Sequence, residues 1–378
     1  MKFWFKRRPS VAFWLSLAVF AAGTSLAVAS AFWLNQRLIA QAQKDYQQNV
    51  DSAVEEITNH LMQPVRGLNG LRAMYAARYD VTRSEFTAHV FSRDLPVEFP
   101  GVRGFGFIER VDRDAVDAFL ERVHADEAPE FALRLLDAPS DPHYVITYIE
   151  PLIDNAGAQG LDVGSEARRR SAIEQAIDAA EPVMTAPITL VQDQQKTPGV
   201  LMYVPVYRAT ARLNSATERR AALQGVLYAP IVFKELLGSL SDDTHQSLAL
   251  SLVDAGVGQA DNLLYNNDIV AGSRFQTTQT LTLLGRHLKL QTAASQAFEE
   301  RLVPLVPGMV GLGGIIASAL LALLLWQQAQ GRVRAEALAR SMTKDLQRLA
   351  LVAQETFNSV IITDAQQRIT WVNPGFER

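Results

Sequence analysis

Two long uncharged stretches constrain this chain more than any other feature of its sequence. Residues 11–34 contain no charged side chain, and residues 304–326 contain none either. About 20 apolar residues suffice for a helix to cross a lipid bilayer. We therefore predict transmembrane helices at 11–34 and at 304–326. A cleaved signal peptide is the alternative for the first stretch, because Ala27-Val28-Ala29 resembles a cleavage site. The uncharged run is longer than a signal-peptide core, which favours a retained anchor.

Basic residues are concentrated before the first stretch and after the second. They precede the first stretch (Lys2, Lys6, Arg7, Arg8) and follow the second (Arg332, Arg334, Arg340, Lys344, Arg348). An excess of Lys and Arg marks the cytoplasmic side of a membrane. We predict a multi-pass protein of a cell inner membrane, with a cytoplasmic N-terminus at 1–10, both termini inside, and residues 35–303 in the periplasm. Two spans around a large loop suit a receptor better than a transporter.

The composition excludes several classes of function. The chain has no cysteine, which rules out disulfides, thiolate zinc sites and cysteine nucleophiles. Its net charge is −4 and its basic residues form no patch away from the membrane flanks, so no nucleic-acid partner is predicted. The six histidines are scattered, and no nucleophile elbow or phosphate-binding loop occurs. We assign no catalytic residue, no metal ligand and no cofactor.

Residues 35–79 have the pattern of a helical stalk. Tyr46, Val50, Ala53 and Ile57 recur at three- and four-residue intervals between polar side chains. This spacing is typical of a seam between two copies of a helix, and from it we predict a homodimer. The same spacing also suits a single amphipathic helix that lies on its own domain.

The rest of the outer segment alternates helices and strands. Pro64 predicts that the stalk helix bends or ends before this part begins. Strand-like runs bracket a charged helix at 166–180, for which Ser165 is the expected N-cap. We predict an α+β fold outside the membrane, with a membrane-distal unit at 80–240 and a membrane-proximal unit at 241–303, each built on an antiparallel sheet.

An ordered set of motifs in this segment resembles the CHASE family of extracytoplasmic sensory domains. The motifs are FPGVRGFGFIERV, YIEPL, the residues Asn155, Ala158, Gly160, Asp162 and Ser165, the run Arg168-Arg169-Arg170, ITLVQD and PVY. The resemblance covers residues 75–240. It implies a long stalk helix followed by two tandem PAS-like sheets. Members of the family in plants bind cytokinins, and bacterial members sense varied small molecules.

The last residues resemble the beginning of a cytoplasmic PAS domain. Residues 354–378 have the pattern of a helix, a strand, a turn at Asp364, a second strand and the start of a helix. We predict a truncated PAS domain there, joined to the membrane by a helical linker at 327–353. The apolar stripe of this linker, which suits a parallel dimer, consists of Leu338, Leu346, Leu349 and Val352. Such front ends commonly lead to a histidine kinase or a diguanylate cyclase, and the kinase is slightly preferred.

The resemblance implies a ligand pocket between the membrane-distal sheet and the helices and loops on one of its faces. Such a pocket needs apolar walls and a few polar groups. Our candidates for ligand contact are Asp162, Thr185, Tyr203, Tyr207, Tyr144 and Tyr148. Asp162 could instead hold a glycine-rich turn, and Thr185 could simply favour a strand. Each tyrosine pair is expected to share one face of its strand, where core packing is the alternative role. The run Arg168-Arg169-Arg170 could hold an anionic ligand or form a solvated helix face.

The preferred interpretation is a transmembrane receptor that senses an extracytoplasmic small molecule and passes the signal to a PAS domain and an output domain beyond Arg378. The first alternative is an interaction module that binds a periplasmic protein and has no small-molecule pocket. The second is an extracytoplasmic enzyme on a double anchor, which lacks any visible nucleophile or metal set.

Overall fold

The computed structural model describes most of the chain. It covers residues 11–78, 80–191, 197–256, 262–267, 269, 272–301, 305–356 and 358–377. The predicted cytoplasmic N-terminus at 1–10, with its four basic residues, lies outside the described residues, as does Gln192-Asp193 of the ITLVQD motif. The chain divides into two compact units: one is Gln41–Val303, and the other combines Met1–Ala40 with Pro304–Arg378.

A single long helix, α1 (Val11–Ala77), supplies the stalk of the Gln41–Val303 unit. One stripe of this helix is fully buried: Tyr46, Val50, Ala53, Ile57, Leu61, Leu68 and Leu71. The stripe packs on both sheets of the same chain in one continuous apolar core. The predicted seam between two copies at Tyr46 to Ile57 was therefore wrong. The spacing reports only that one face of the helix is covered, and here the chain's own sheets cover it.

The stalk helix also continues through Pro64, where a bend or an end was predicted. Proline inside a helix costs about 3 kcal/mol because it removes one backbone hydrogen bond and crowds the preceding turn. The apolar burial of α1 continues on both sides of this position, at Leu61 and Leu68. Tertiary packing of this stripe offsets the local cost.

The larger of the two sheets in this unit contains the first eight strands. They are β1 (Phe105–Val111), β2 (Arg134–Leu135), β3 (His143–Glu150), β4 (Leu161–Asp162), β5 (Val183–Met184), β6 (Ile188–Thr189), β7 (Pro198–Tyr207) and β8 (Leu223–Val232). The helices around this large sheet are α2 (Arg83–Phe91), α3 (Leu95–Glu98), α4 (Val116–Ala125), α5 (Leu152–Asn155), α6 (Ala167–Ala179), α7 (Ala216–Ala222) and α8 (Phe233–Gly238).

The strand order of the large sheet is β2-β4-β3-β1-β8-β7-β5, and β6 pairs with β7 beside this path. Antiparallel pairing joins β3, β1, β8 and β7 at its centre. The edge strands β2 and β4 pair in parallel. The α+β class is confirmed. The large sheet was predicted to be antiparallel, and the parallel pair of β2 and β4 makes it mixed.

Each face of the large sheet carries its own apolar core. One face packs on α1 and α2 and includes Tyr148, whereas the other packs on α6 and includes Tyr144. A β-bulge on β3 separates these two tyrosines. Consecutive residues of β1 pair with Tyr148 and then with Ile146, so Thr147 is the extra residue. The bulge reverses the alternation of side chains, and the prediction that both tyrosines share a face was wrong.

Gly106 of β1 leaves room for the ring of its cross-strand partner Tyr228. A Cβ built at this glycine would overlap the Tyr228 ring and lie 2.6 Å from the carbonyl oxygen of Tyr148. We expect Gly106→Ala to lower the free energy of unfolding by about 1–3 kcal/mol, the usual cost of overpacking. Denaturant unfolding measures this loss. Gly157→Ala is the matched control, since a Cβ there meets no atom within 4 Å, and equal losses in both variants would contradict the packing argument.

The small sheet contains the next four strands, and it lies in the segment where an antiparallel sheet was predicted. They are β9 (Leu248–Asp254), β10 (Asn262–Asn266), β11 (Gln276–Leu283) and β12 (Arg286–Ala294). Their order is β10-β9-β12-β11, and each neighbouring pair is antiparallel. Two short helices flank this sheet in the sequence, α9 (Asp242–Ser247) and α10 (Gln296–Glu300).

The β11–β12 hairpin contacts the large sheet and α6. Its turn residues Leu284 and Gly285 both have positive φ, 52° and 74°, as two-residue hairpin turns require. The backbone N–H of Met184 on β5 donates a hydrogen bond to the carbonyl oxygen of Leu284 at 2.8 Å. A Cβ at Gly285 would lie 2.9 Å from the side-chain amide nitrogen of Gln175 on α6. The hairpin tip therefore sits directly against both elements.

The second unit combines the start of α1 with the C-terminal part of the chain. Its further elements are α11 (Leu305–Glu355), β13 (Ile361–Thr363), β14 (Ile369–Val372) and α12 (Pro374–Glu377). Both α1 and α11 are long and apolar enough to cross a membrane. They pack closely through small residues, since a Cβ at Gly23 would overlap Ser318 and one at Gly314 would lie 2.6 Å from Cβ of Ala27.

Candidate functional site

The face of the large sheet beneath α6 carries several of the side chains predicted to contact a ligand, among them Tyr144 and Tyr203. The buried side of α6, which includes Ile173 and Ile177, packs on this face in one apolar core. The space left inside is a cavity of only about 20 Å³, lined mainly by apolar side chains. That volume is about the space of a single water molecule. The pocket is therefore closed in this arrangement of α6 and the sheet.

Two phenol groups are buried together in this core. Tyr203 of β7 and Tyr228 of β8 are direct cross-strand partners, and both side chains are almost completely buried. Neither phenol oxygen has a hydrogen-bond partner among the described residues. Burial raises the pKa of both phenols, so both remain protonated and able to donate. A buried hydroxyl without a partner costs about 1–3 kcal/mol, and two at paired positions call for a functional reason.

Arg169 brings a positive charge to the same core. This side chain on α6 is 8% exposed and lines the small cavity together with Tyr228. Its guanidinium donates to the carbonyl oxygen of Thr189 at 3.0 Å and lies 3.4 Å from the carboxylate of Glu166. Its charge acts to lower the pKa of Tyr203, against the larger effect of burial. Arg169 and Tyr228 are thus the polar side chains on the wall of an otherwise apolar cavity, and Tyr203 is buried next to Tyr228 on the neighbouring strand.

Asp162 is completely buried, and its partners all belong to the chain itself. Its Oδ1 accepts hydrogen bonds from the backbone N–H groups of Tyr144 and Gly164, each at 2.9 Å. Its Oδ2 lies 2.7 Å from Nδ1 of His143, which is also buried. These bonds hold the turn after β4 against β3. They give the carboxylate a structural role, and its predicted contact with a ligand stays a prediction.

The N-terminus of α6 is capped differently from the prediction. The carboxylate of Glu166, not the hydroxyl of Ser165, accepts from the first backbone N–H groups of the helix, those of Arg168 and Arg169. The Ser165 hydroxyl instead donates to the carbonyl oxygen of Asp162 and accepts from the N–H of Leu136. Ser165 is thereby one more link that fixes the turn below α6.

Thr185 and Tyr207 are also held by bonds within the chain. The Thr185 hydroxyl oxygen accepts from the N–H of Leu201 at 3.0 Å and so extends the pairing of β5 with β7. The Tyr207 hydroxyl donates to the carbonyl oxygen of Ile177 at 2.6 Å and ties β7 to α6. Burial raises the pKa of Tyr207 to about 12. Because Tyr207 contacts α6, the helix that also covers Tyr203, the two tyrosines share one face of β7, as predicted from their spacing.

The structure does not bring all six candidates to one place. Asp162, Thr185, Tyr203, Tyr207 and Tyr144 surround α6 and the turn before it. Tyr148 faces the stalk on the opposite side, where its hydroxyl donates to the Asp126 carboxylate at 2.7 Å. Tyr144 lies beneath Arg170, with the guanidinium 5.6 Å from its ring centre, and burial raises its pKa.

Sequence reasoning missed Tyr228 and gave no weight to Arg169 over its two neighbours. Tyr228 becomes a candidate only because it pairs with Tyr203 across two strands. That register depends on the loop between β7 and β8. Of the three arginines at the start of α6, Arg169 is the most buried, and an apolar helix stripe through Ile173 and Ile177 could have indicated it. Among the residues that the structure describes, no three His, Asp or Glu side chains are grouped to hold a metal ion.

Comparison with known protein families identifies the domain that contains this region. Residues 79–265 match the family model of the CHASE domain. The chain contains a CHASE domain. The match begins after α1, covers the whole large sheet and reaches into the small sheet as far as β10, further than the motifs alone indicated. No curated protein matches the chain significantly.

CHASE domains are extracytoplasmic sensor domains of signalling receptors, so the cavity below α6 belongs to a domain whose role is detection. In this chain the CHASE domain lies between two helices that are long and apolar enough to cross a membrane. This arrangement is consistent with a membrane protein.

Proposed function

We propose that this chain is the front end of a transmembrane receptor whose CHASE domain senses an extracytoplasmic small molecule. The observation that carries the proposal is the pair of buried phenols without partners, Tyr203 and Tyr228, beside the Arg169 guanidinium. All three groups carry hydrogen-bond donors. The ligand class that complements them is a compact, largely apolar molecule with one hydrogen-bond acceptor or anionic group.

Binding has to enlarge the cavity of about 20 Å³. We propose that the movable wall is α6 with Leu190 and Val191, because the opposite wall is formed by strands of the sheet. A ligand that fits only the opened pocket favours that state through its differential affinity, and this is how it changes the conformation of the receptor. Of the predicted contacts, we propose Tyr203, Thr185, Tyr207 and Tyr144 for the opened pocket and assign Asp162 to support of the turn beside it. Tyr148 stays a candidate on the opposite face.

The test replaces the phenols by phenylalanine in the 378-residue chain in detergent. We expect Tyr203→Phe with Tyr228→Phe to keep or raise the unfolding temperature, because each removes a buried hydroxyl that has no partner. A metabolite panel that includes adenine-type cytokinins should contain a compound that stabilises the wild-type chain. We expect the double variant to lose that stabilisation. Thermal unfolding with and without each compound measures both effects.

Tyr207→Phe is the matched control for this experiment. Its hydroxyl is bonded to the Ile177 carbonyl oxygen, so its loss should cost about 0.5–1.5 kcal/mol of stability. If the double variant is destabilised as much as Tyr207→Phe, the two phenols have partners after all. If the compound stabilises the double variant and the wild type equally, the ligand lies elsewhere.

We further propose a homodimer in which copies meet along α11 rather than along the stalk. The supporting observation is an exposed apolar stripe on α11: Leu338, Leu346, Leu349 and Val352. The exposed side of the stalk between Gln41 and Arg72 is polar by contrast. A parallel pair of α11 helices would cover the stripe.

The remaining assignments follow the membrane pattern. We propose transmembrane helices at 11–34 and 304–326 in a cell inner membrane, a cytoplasmic segment at 1–10, and residues 35–303 in the periplasm, with the two sensor units at 80–240 and 241–303. We propose that 327–353 is a linker and that 354–378 begins a PAS domain, which the β13–β14 hairpin supports. A histidine kinase or a diguanylate cyclase is the proposed output, to be tested by reading the gene beyond Arg378.

One observation favours a second candidate function, a sensor that binds a periplasmic protein instead of a small molecule. The interior below α6 is almost filled by side chains, as expected for a domain that uses only its surface. The buried phenols argue against this function. In a core that never opens, two hydroxyls without partners would only lower stability, and phenylalanine would pack there without that cost. A metabolite panel without a single stabilising compound, combined with capture of a defined periplasmic protein by the wild-type chain, would favour it.

A further inference from the structure

A second and larger cleft lies on the opposite face of the large sheet. Its volume is about 600 Å³, within the range of small-molecule sites. It opens between the last turn of α1, the loop before α2, the C-terminal end of α4 and the start of β8. The sheet separates it from the cavity below α6, since Phe107 and Tyr148 on its wall belong to the stalk-facing core.

Tyr75 forms the buried end of this cleft. Its side chain is 5% exposed, and its ring stacks on Phe107 with 4.3 Å between ring centres and 20° between planes. Its phenol oxygen has no hydrogen-bond partner among the residues described. Tyr75 lines the cleft together with Tyr148, Glu109, Asp126 and Arg122. The unpartnered hydroxyl is therefore carried by a wall residue of the cleft.

A second polar atom of the wall is unsatisfied as well. The side-chain carbonyl oxygen of Gln224, near the start of β8, is buried and has no partner in the described part of the chain. A carbonyl oxygen can only accept a hydrogen bond. Buried polar atoms without partners are few in folded proteins. Two of them, on elements as distant in sequence as α1 and β8, indicate a place prepared for a ligand.

The charged groups of the cleft are mostly engaged, and the Arg83 guanidinium lies beside them, 5.0 Å from the centre of the Tyr148 ring. Glu109 forms an ion pair with Arg122, and burial raises the pKa of the Glu109 carboxyl. The Asp126 carboxylate accepts from the N–H of Arg83 and from the Tyr148 hydroxyl. A further carboxylate, that of Asp80, and a further guanidinium, that of Arg208, stand at the rim. The wall thus carries three carboxylates and two guanidinium groups.

We propose that this cleft binds a small organic amine with an aromatic or apolar body. The ammonium group would donate to the Gln224 carbonyl oxygen and the Tyr75 oxygen, with the Asp80 carboxylate at the rim of the same cleft. The body of the amine would lie against the rings of Tyr75 and Tyr148. The site is separate from the proposed ligand pocket, so the receptor would read two different small molecules on the two faces of one sheet.

The test uses the 378-residue chain in detergent. The three probes share one phenyl ring and differ in the head group: phenethylamine, phenethyl alcohol and phenylacetate. Calorimetric titration measures the dissociation constant of each. We expect phenethylamine to bind more tightly than the alcohol, and phenylacetate to bind most weakly. Equal affinities for the three probes, or tightest binding of phenylacetate, would overturn the amine assignment. No binding of any probe would overturn the site itself.

Variants locate the binding. We expect Tyr75→Phe and Gln224→Leu each to weaken phenethylamine binding about 3- to 10-fold, the equivalent of one lost hydrogen bond. Tyr75→Phe keeps the ring stack and removes only an unpartnered hydroxyl, so its unfolding temperature should not fall. Tyr265→Phe, on the small sheet, is the matched control. Unchanged affinity in both cleft variants would place the amine elsewhere, and this result is independent of the experiment on Tyr203 and Tyr228.

Discussion

Replacing Asp162 by alanine is expected to lower the free energy of unfolding of the CHASE domain by about 3–5 kcal/mol, the range for breaking a buried hydrogen-bonded pair. The change leaves three buried donors without an acceptor: two backbone N–H groups, of Tyr144 and Gly164, and the His143 ring nitrogen. Because this turn supports the start of α6, we expect the loss to appear as a lower temperature of the cooperative unfolding transition.

Asp162→Asn is the matched control, because its side-chain carbonyl oxygen can still accept from both backbone N–H groups. We expect it to cost less than half as much as the alanine change. The two variants also separate the structural role from ligand binding. A chain with Asp162→Ala that unfolds at the wild-type temperature, yet no longer responds to a stabilising compound, would show that the carboxylate serves the ligand and not the fold.

Changing Ile57 to aspartate is expected to abolish cooperative unfolding of the sensor unit. Ile57 is fully buried in the continuous core where α1 packs on both sheets. An unpaired carboxylate in such a place costs several kcal/mol, and the lost apolar burial adds about 1.5–3 kcal/mol. Together they approach the whole stability of a typical domain. If Ile57 lay only in a seam between two copies, the variant would be a folded monomer. Circular dichroism during heating distinguishes that monomer from an unfolded chain.

Two matched changes complete this experiment. Ser52→Asp places the same charge on the exposed side of the same helix, and we expect it to leave the unfolding transition unchanged. Leu349→Asp places it in the exposed stripe of α11, where we expect a shift from dimer to monomer in sedimentation without loss of fold. If the dimer persisted with Leu349→Asp and dissociated with Ile57→Asp, the dimer interface would lie on the stalk helix after all.

The long elements of the fold were predictable because their patterns are local. The charge-free stretches, the strands around the glycine-rich turn and the helix predicted at 166–180 depend on periodicity and end signals that each segment carries itself. What covers the stalk stripe is not a local property. A spacing of three and four residues at Tyr46 to Ile57 says that one side is buried, and says nothing of whether a second copy or the same chain buries it.

The candidate site was less predictable for reasons of register. One extra residue at Thr147 moved Tyr148 to the other face of the sheet, and a bulge leaves no clear mark in a strand rich in β-branched and aromatic residues. The pairing of Tyr203 with Tyr228 depends on the connection between β7 and β8. The satisfied bonds of Asp162 and Thr185 depend on backbone groups, whose positions no side-chain pattern reveals.

The hydrogen bond from Met184 to Leu284 couples the small sheet to the proposed pocket. Met184 lies on β5, next to one proposed wall of that pocket, and Gly285 contacts α6, the other proposed wall. In the proposed receptor, a displacement of either wall on ligand binding would move the β11–β12 hairpin or break its contacts. The proposal therefore predicts that the signal passes from one sheet to the other through a single hairpin turn.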